Sequence, residues 1–256
     1  MSDEKLSVFL GLRDRTEKTN QNMLDDMHGK FKNKQGLFQG IRNTYEPLTG
    51  YADEPGKRNF TAVASTVKEQ LDWFKEHTKD FYGITFSIEK TNAGGVTAEL
   101  EVDGVKWGVY TSLELLRLKS ILDSKLKAMI SEIPIRKETV IWSPTQDANY
   151  TGRDIFESPL NKSFAKTTLK ETYIVNDPHV KDMPGRAPIS AEKSTQVNVG
   201  EASTQEFSGE YTNRQRAEIQ TRYEKLYKAV IKALETANDK TVERSNLGDK
   251  VLDFLF

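Results

Sequence analysis

From Val96 to Val109 apolar and polar residues alternate, and the alternation breaks at Asp103-Gly104. Val96, Ala98, Leu100 and Val102 fall on one side of an extended strand, with Thr97, Glu99 and Glu101 on the other. Asp-Gly between two such runs favours a two-residue turn, so Val105, Trp107 and Val109 run back antiparallel. Upstream, Ile84, Phe86 and Ile88 alternate with Thr85, Ser87 and Glu89, and Asn92-Ala93-Gly94-Gly95 reads as a turn. The three runs together predict an antiparallel β-meander with a polar, solvent-facing side.

Helical patterns surround it. Leu6, Phe9, Leu10, Met23, Met27 and Phe31 recur near a 3.6-residue period across residues 3–34, although Asp14 to Asn22 holds no apolar residue. A helix polar all round over that length projects into solvent or pairs with another helix. Gly36 to Tyr45 reads as a short amphipathic segment, and 46–60 as a loop. Val63, Val67, Leu71 and Phe74 predict a helix over 61–79. Thr111 and Glu114 have capping-box spacing and open a helix of about 112–132, apolar on more than one face and ended by Pro134. Thr212 caps a further helix, about 213–238, striped by Ile219, Tyr223, Leu226, Val230 and Leu234.

Residues 135–207 are rich in Thr, Ser, Pro and Asn, with β-like runs at Thr139–Trp142 and Leu169–Val175. They predict an irregular β-rich insert with a mobile loop at 176–195. The expected organisation is a single α+β domain over 1–256. Within it lie a helical arm at 1–45, a helix, meander and buried helix at 61–134, the insert at 135–207 and C-terminal helices at 212–256.

Composition narrows the chemistry. The 256 residues carry 37 Lys+Arg and 38 Asp+Glu, a formal net charge of -1, so no global field draws the chain to nucleic acid or to an anionic membrane. There is no Cys, which removes disulfides, Cys-ligated zinc and a thiol nucleophile. The acidic N-terminus lacks the form of a signal peptide, and no window approaches ~18 consecutive apolar residues. A cytoplasmic protein without a membrane partner is expected.

His28, His77 and His179 lie in separate segments, none beside a second ligand at metal-binding spacing. No nucleophile elbow, phosphate-binding loop or dinucleotide fingerprint is present. No catalytic residue, metal or cofactor is therefore assigned. Glu99, Glu101 and Asp103, with Lys106 nearby, are the one carboxylate set that would suit a metal-dependent hydrolase or nuclease; the other reading makes them the solvent face of the meander. Residues 213–232 hold six Lys+Arg against two Glu, and 117–137 six against two acids. On the first of these helices Arg214, Lys225 and Lys232 share an azimuth, with Arg222 on the same helix. Such stripes can track phosphates, but no aromatic is interleaved to stack bases.

The last residues are Val251, Leu252, Asp253, Phe254, Leu255 and Phe256, with Leu247 at helical spacing before them. Exposing such side chains costs ~1.5–3 kcal/mol each, so the segment is expected to dock on its own domain or on another subunit.

Several stretches carry a resemblance. They are Gly36-Leu37-Phe38-Gln39-Gly40-Ile41 leading to Thr44-Tyr45-Glu46-Pro47, the strand ending in Val102-Asp103-Gly104, and the helix ending at Ile133-Pro134. Phe207-Ser208-Gly209, Glu235-Thr236-Ala237-Asn238 and Leu255-Phe256 complete the set. Taken in order, the chain resembles, nearly end to end, a bacterial family of unknown function common in actinobacteria. It departs in a long Ser/Thr loop at 182–206 and at Tyr110–Leu118. The resemblance implies one intact architecture and a bacterial or phage origin, and brings no site residues with it.

The leading expectation is a non-enzymatic interaction or assembly protein, homo-oligomeric or bound to another protein. The alternatives are a nucleic-acid-associated protein using the two basic helices, and the hydrolase or nuclease at Glu99, Glu101 and Asp103.

Overall fold

The computed structural model describes residues 6–51, 55–92, 96–174 and 190–238. It is α+β with antiparallel sheets, as the alternating and helical patterns predict. The chain divides into two compact units. The first comprises residues up to Gln35, Val67–Arg136 and Glu210 onward; the second comprises Gly36–Thr66 and Lys137–Gly209.

In the first unit, α1 (Leu6–Asn33) packs against α2 (Val67–Asn92). The strand expected at Ile84–Ile88 is helix instead. Val67, Phe74, Thr78, Phe81, Thr85 and Ile88 are buried at steps of three, four and seven, the spacing of one helical face. Two of those core positions are threonines, which breaks the apolar stripe seen in sequence. Thr78 is tolerated there because its hydroxyl donates to the Phe74 carbonyl, at 2.8 Å. The meander is therefore a two-stranded hairpin, β3 (Thr97–Val102) with β4 (Val105–Thr111). Its turn has φ of 55° at Asp103 and 79° at Gly104, the paired positive values of the tight hairpin turn.

Ala98 and Leu100 of β3 point into the core, as the alternation predicts. They meet Leu115 and Leu122 from the following helices, and Tyr223, Val230 and Leu234 from α5 (Asn213–Asn238). The helix expected at 112–132 is present as α3 (Ser112–Ile121), a π turn at Leu122–Leu126 and α4 (Lys127–Ser131). Thr111 and Glu114 form the reciprocal capping box. Tyr223 donates its buried hydroxyl to the Leu122 carbonyl at 3.0 Å, holding α5 to the π turn. Thr212 and Gln215 cap α5 in the same reciprocal way.

The second unit is built on a six-stranded antiparallel sheet. Residues 39–45 of the expected helical arm are strand: a short 3-10 helix, Gln35–Phe38, passes into β1 (Gln39–Pro47). β2 (Lys57–Thr61) occupies part of the expected loop and the start of the expected helix. β5 (Ser143–Pro144) and β6 (Phe156–Glu157) are short. The run at Thr139–Trp142 is not strand; β5 begins just after it. β7 (Asn161–Ile174) and β8 (Ser190–Ser208) are long, so the insert is regular over these residues, and the Ser/Thr stretch after Ser190 is strand where a loop was expected. Serine and threonine occupy both faces of this ribbon, which hides the period-two signal in a count of apolar residues.

β8 pairs with β1 from Gln39↔Ser208 to Pro47↔Gly200, and with β7 on its other edge. Phe207 lies opposite Gly40 and is buried with Val63, Tyr150 and Ile155. A Cβ on Gly40 would stand 2.8 Å from the Thr61 carbonyl oxygen, so the close approach of β1 to the end of β2 requires glycine. Arg42 of β1 lies over the rings of Phe60 and Phe207, at 5.0 and 5.1 Å, and pairs with Asp147. Asp147 also accepts from the Asn149 backbone N–H at 2.9 Å as the cap of a 3-10 turn, Ala148–Tyr150.

Two substitutions separate packing from propensity. Gly40→Ala meets backbone and should destabilise by about 1–3 kcal/mol. Gly83→Ala in α2 meets nothing within 4 Å and should stabilise by about 0.5–1 kcal/mol. Urea unfolding midpoints check both.

Acid stability supplies a second test. The Asn149 N–H and then the Arg42 guanidinium hold the Asp147 carboxyl below its usual range. A depressed folded value contributes stability that is complete above the unfolded value of ~3.9 and is lost as pH falls through the folded value. Asp147→Asn should therefore be less stable than wild type at pH 7, and the difference should shrink below about pH 4. Denaturant titrations at the two pH values measure this.

Candidate interaction surfaces

The carboxylates of the hairpin do not converge. Glu99 and Glu101 project from the solvent side of β3, while Asp103 sits in the turn. Glu99 pairs with Lys106 at 2.9 Å, and that hydrogen bond raises the lysine above its ordinary value. Asp103 pairs with Lys225 of α5 at 2.7 Å. Among the described residues no group of three or more His, Asp or Glu is placed to hold a metal ion.

Part of each basic helix face is compensated. Arg214 pairs with Glu218 at 2.9 Å, and Arg222 approaches the same carboxylate at 3.9 Å. With Lys225 on Asp103, three of the four basic side chains singled out on α5 face an acid, and Lys232 is exposed near the helix end. The other basic stretch behaves alike. Arg117 pairs with Glu17 at 2.7 Å, Lys119 with Asp123 at 3.1 Å, and Lys125 with Asp25. Each cation that holds a protein carboxylate presents less field to a phosphate. The helix also stops at Ser131, short of Arg136 and Lys137.

His77 stacks on Trp73 at 4.5 Å, with Nδ1 2.8 Å from the Trp73 carbonyl oxygen. It borders a groove of about 740 Å³ between α1 and α2, together with Arg15, Thr19, Asn20 and Asp80. Asn20 is buried from the polar middle of α1, and its Oδ1 has no partner among the described residues. That polar stretch thus faces a second helix, one of the two outcomes its composition allows.

Exposed apolar side chains are spread over both units, Ile141 and Leu116 among them, and two strand elements carry several each. On β4, Val105, Trp107 and Val109 are 61%, 52% and 67% exposed. Trp107 occupies a bulge, since Glu101 pairs with Lys106 and Leu100 with Gly108. It closes an apolar pocket of about 230 Å³ with Phe86, Tyr110, Leu115, Leu118 and Leu226. The second is the β7–β8 ribbon, where Leu169 and Tyr173 are 41% and 52% exposed. The alternation at 105–109 marked the first from sequence; the second needed the register of β7 on β8. Leu247, Val251, Leu252, Phe254, Leu255 and Phe256 lie outside the described residues.

The carboxylates can be tested directly. Glu99→Gln with Glu101→Gln should shift the melting temperature by less than ~3 °C, as exposed substitutions do. It should also leave any binding activity intact, and a loss of activity in a folded variant would restore the enzyme reading.

No helix of the described residues is long and apolar enough to cross a membrane. No curated protein and no solved structure matches the chain. A family model described as a family of unknown function, DUF7873, matches residues 3–256. The match covers the motifs that meet in the structure, Gly40 against Phe207 among them, and the chain belongs to this family of unknown function.

Proposed function

We propose that the protein is a non-enzymatic interaction or assembly protein, bacterial and cytoplasmic, that works as a homo-oligomer and without a cofactor. The observation that carries this reading is the β7–β8 ribbon. From Lys166 to Ile174 and from Ser190 to Asn198 the two strands pair only with each other among the described residues. At ~3.3 Å per residue that projection is roughly 25–30 Å long. A two-stranded ribbon is marginal in water, and this one leaves Leu169 and Tyr173 in solvent. Exposed apolar surface on such an element fits an interface better than a free surface. The ion pairs on Glu99, Asp103, Arg214 and Lys225 favour this over catalysis or phosphate binding.

Analytical ultracentrifugation of the full chain, paired with titration of duplex DNA at ~50 mM salt, tests the reading. The expected result is self-association that grows with protein concentration and no retained DNA. A chain that stays monomeric and binds DNA with affinity falling steeply in salt would replace this reading with the nucleic-acid one. Arg214→Gln with Lys232→Gln should then weaken the binding.

A further inference from the structure

We infer that one face of the β7–β8 ribbon packs on the same face of a second copy of this chain, in register, about a two-fold axis running along the ribbon. This rests on the interaction reading above and names the partner of that surface.

The register defines the two faces. Beyond the irregularity at Ala165/Lys166, Thr167 lies opposite Val197, Leu169 opposite Thr195, Glu171 opposite Lys193 and Tyr173 opposite Ala191. Directly opposed side chains share a face, and successive pairs alternate between faces. On the other face Lys166 with Asn198, Thr168 with Gln196, Lys170 with Ser194 and Thr172 with Glu192 are polar, and Ile174 opposite Ser190 ends that row. Over Lys166–Tyr173 the larger apolar side chains, Leu169, Tyr173 and Val197, therefore lie on one face, the bias of strands with one covered side. Val197 and Ala191 are half-buried on that side, while their larger neighbours Leu169 and Tyr173 stand exposed.

The same face is complementary to itself. Two of its rungs set a large residue against a small one, and one rung sets an acid against a base. A two-fold axis along the ribbon lays β7 of one copy over β8 of the other, rung on rung. Leu169 then meets the partner's Thr195 and Tyr173 meets the partner's Ala191, so bulk fills space. Glu171 meets the partner's Lys193, and Lys193 meets the partner's Glu171. A two-fold across the ribbon at this rung would instead set Glu171 on the partner's Glu171, which like-charge repulsion disfavours. A wholly apolar partner would bury the Glu171 and Lys193 charges at a desolvation cost with no added countercharge, and a partner of one charge sign would repel one of the two.

The face sets the strength. A ribbon ~30 Å long and ~10 Å wide offers roughly 300 Å² per copy, below the ~800 Å² per partner of a standard interface. The dimer is therefore weak and concentration-dependent.

Charge reversal tests the pairing. Glu171→Lys alone sets lysine on the partner's Lys193, and Lys193→Glu alone sets glutamate on the partner's Glu171. Each should weaken self-association at least ~10-fold. An equimolar mixture of the two variants should associate again, because one copy then presents two lysines to the other's two glutamates. Leu169→Asp should weaken association without a mixing rescue. Sedimentation is run up to about 0.5 mM, above the micromolar constants of standard interfaces. Far-UV circular dichroism verifies the fold of each variant. A wild-type chain monomeric throughout that range would overturn both this inference and the homo-oligomer reading. Self-association that survives both reversals, or variants that do not associate when mixed, would overturn this inference alone and leave assembly through another surface.

Discussion

The antiparallel pairing of β8 with β1 is the constraint from which the second unit follows. It joins residues 39–47 to residues 200–208, a separation that makes the contact costly in chain entropy. Packing offsets that cost at one end of the ladder. Phe207 sits opposite Gly40 with its ring against Phe60 and Tyr150, and Phe38 accepts the Gly209 N–H at 2.8 Å. Arg42 covers the outer side of the Phe60 and Phe207 rings and is held there by Asp147. With β8 placed, β6 and β7 have an edge to add to.

A different logic governs the first unit. Its core is a helical layer over a short hairpin, with Tyr223 joining α5 to the π turn through one buried hydrogen bond. The π turn interrupts the regular ladder of the central helix, and a side-chain hydroxyl takes up a carbonyl there. Buried Thr78 on α2 shows the same economy: a small polar residue serves in a helical interface where the backbone can satisfy it.

These arrangements separate charge from function. Basic stripes on two helices and acids along β3 looked like opposite kinds of site, yet Lys225 and Asp103 are partners, as are Lys106 and Glu99. Exposed pairs of this kind contribute little to stability. Their consequence is electrostatic: the field of each stripe is reduced at its own surface. Apolar side chains also remain without cover, among them Trp107 and Val109 on the hairpin and Leu169 and Tyr173 on the ribbon.

Local features were legible in the amino-acid order because short-range chemistry decides them. The Asp103-Gly104 turn, the Thr111–Glu114 and Thr212–Gln215 caps, and the inward side of β3 each depend on residues within a few positions. The α+β class follows from those elements. Tertiary structure decided the rest. Ile84–Ile88 fits both a strand and a helix by period, and burial against other helices selects the helix. The Ser/Thr-rich 190–208 segment becomes a strand because β1 and β7 supply hydrogen-bond partners from distant residues. The cross-strand match of Glu171 with Lys193 exists only in the register of β7 on β8, since a one-residue slip would move every side chain to the other face.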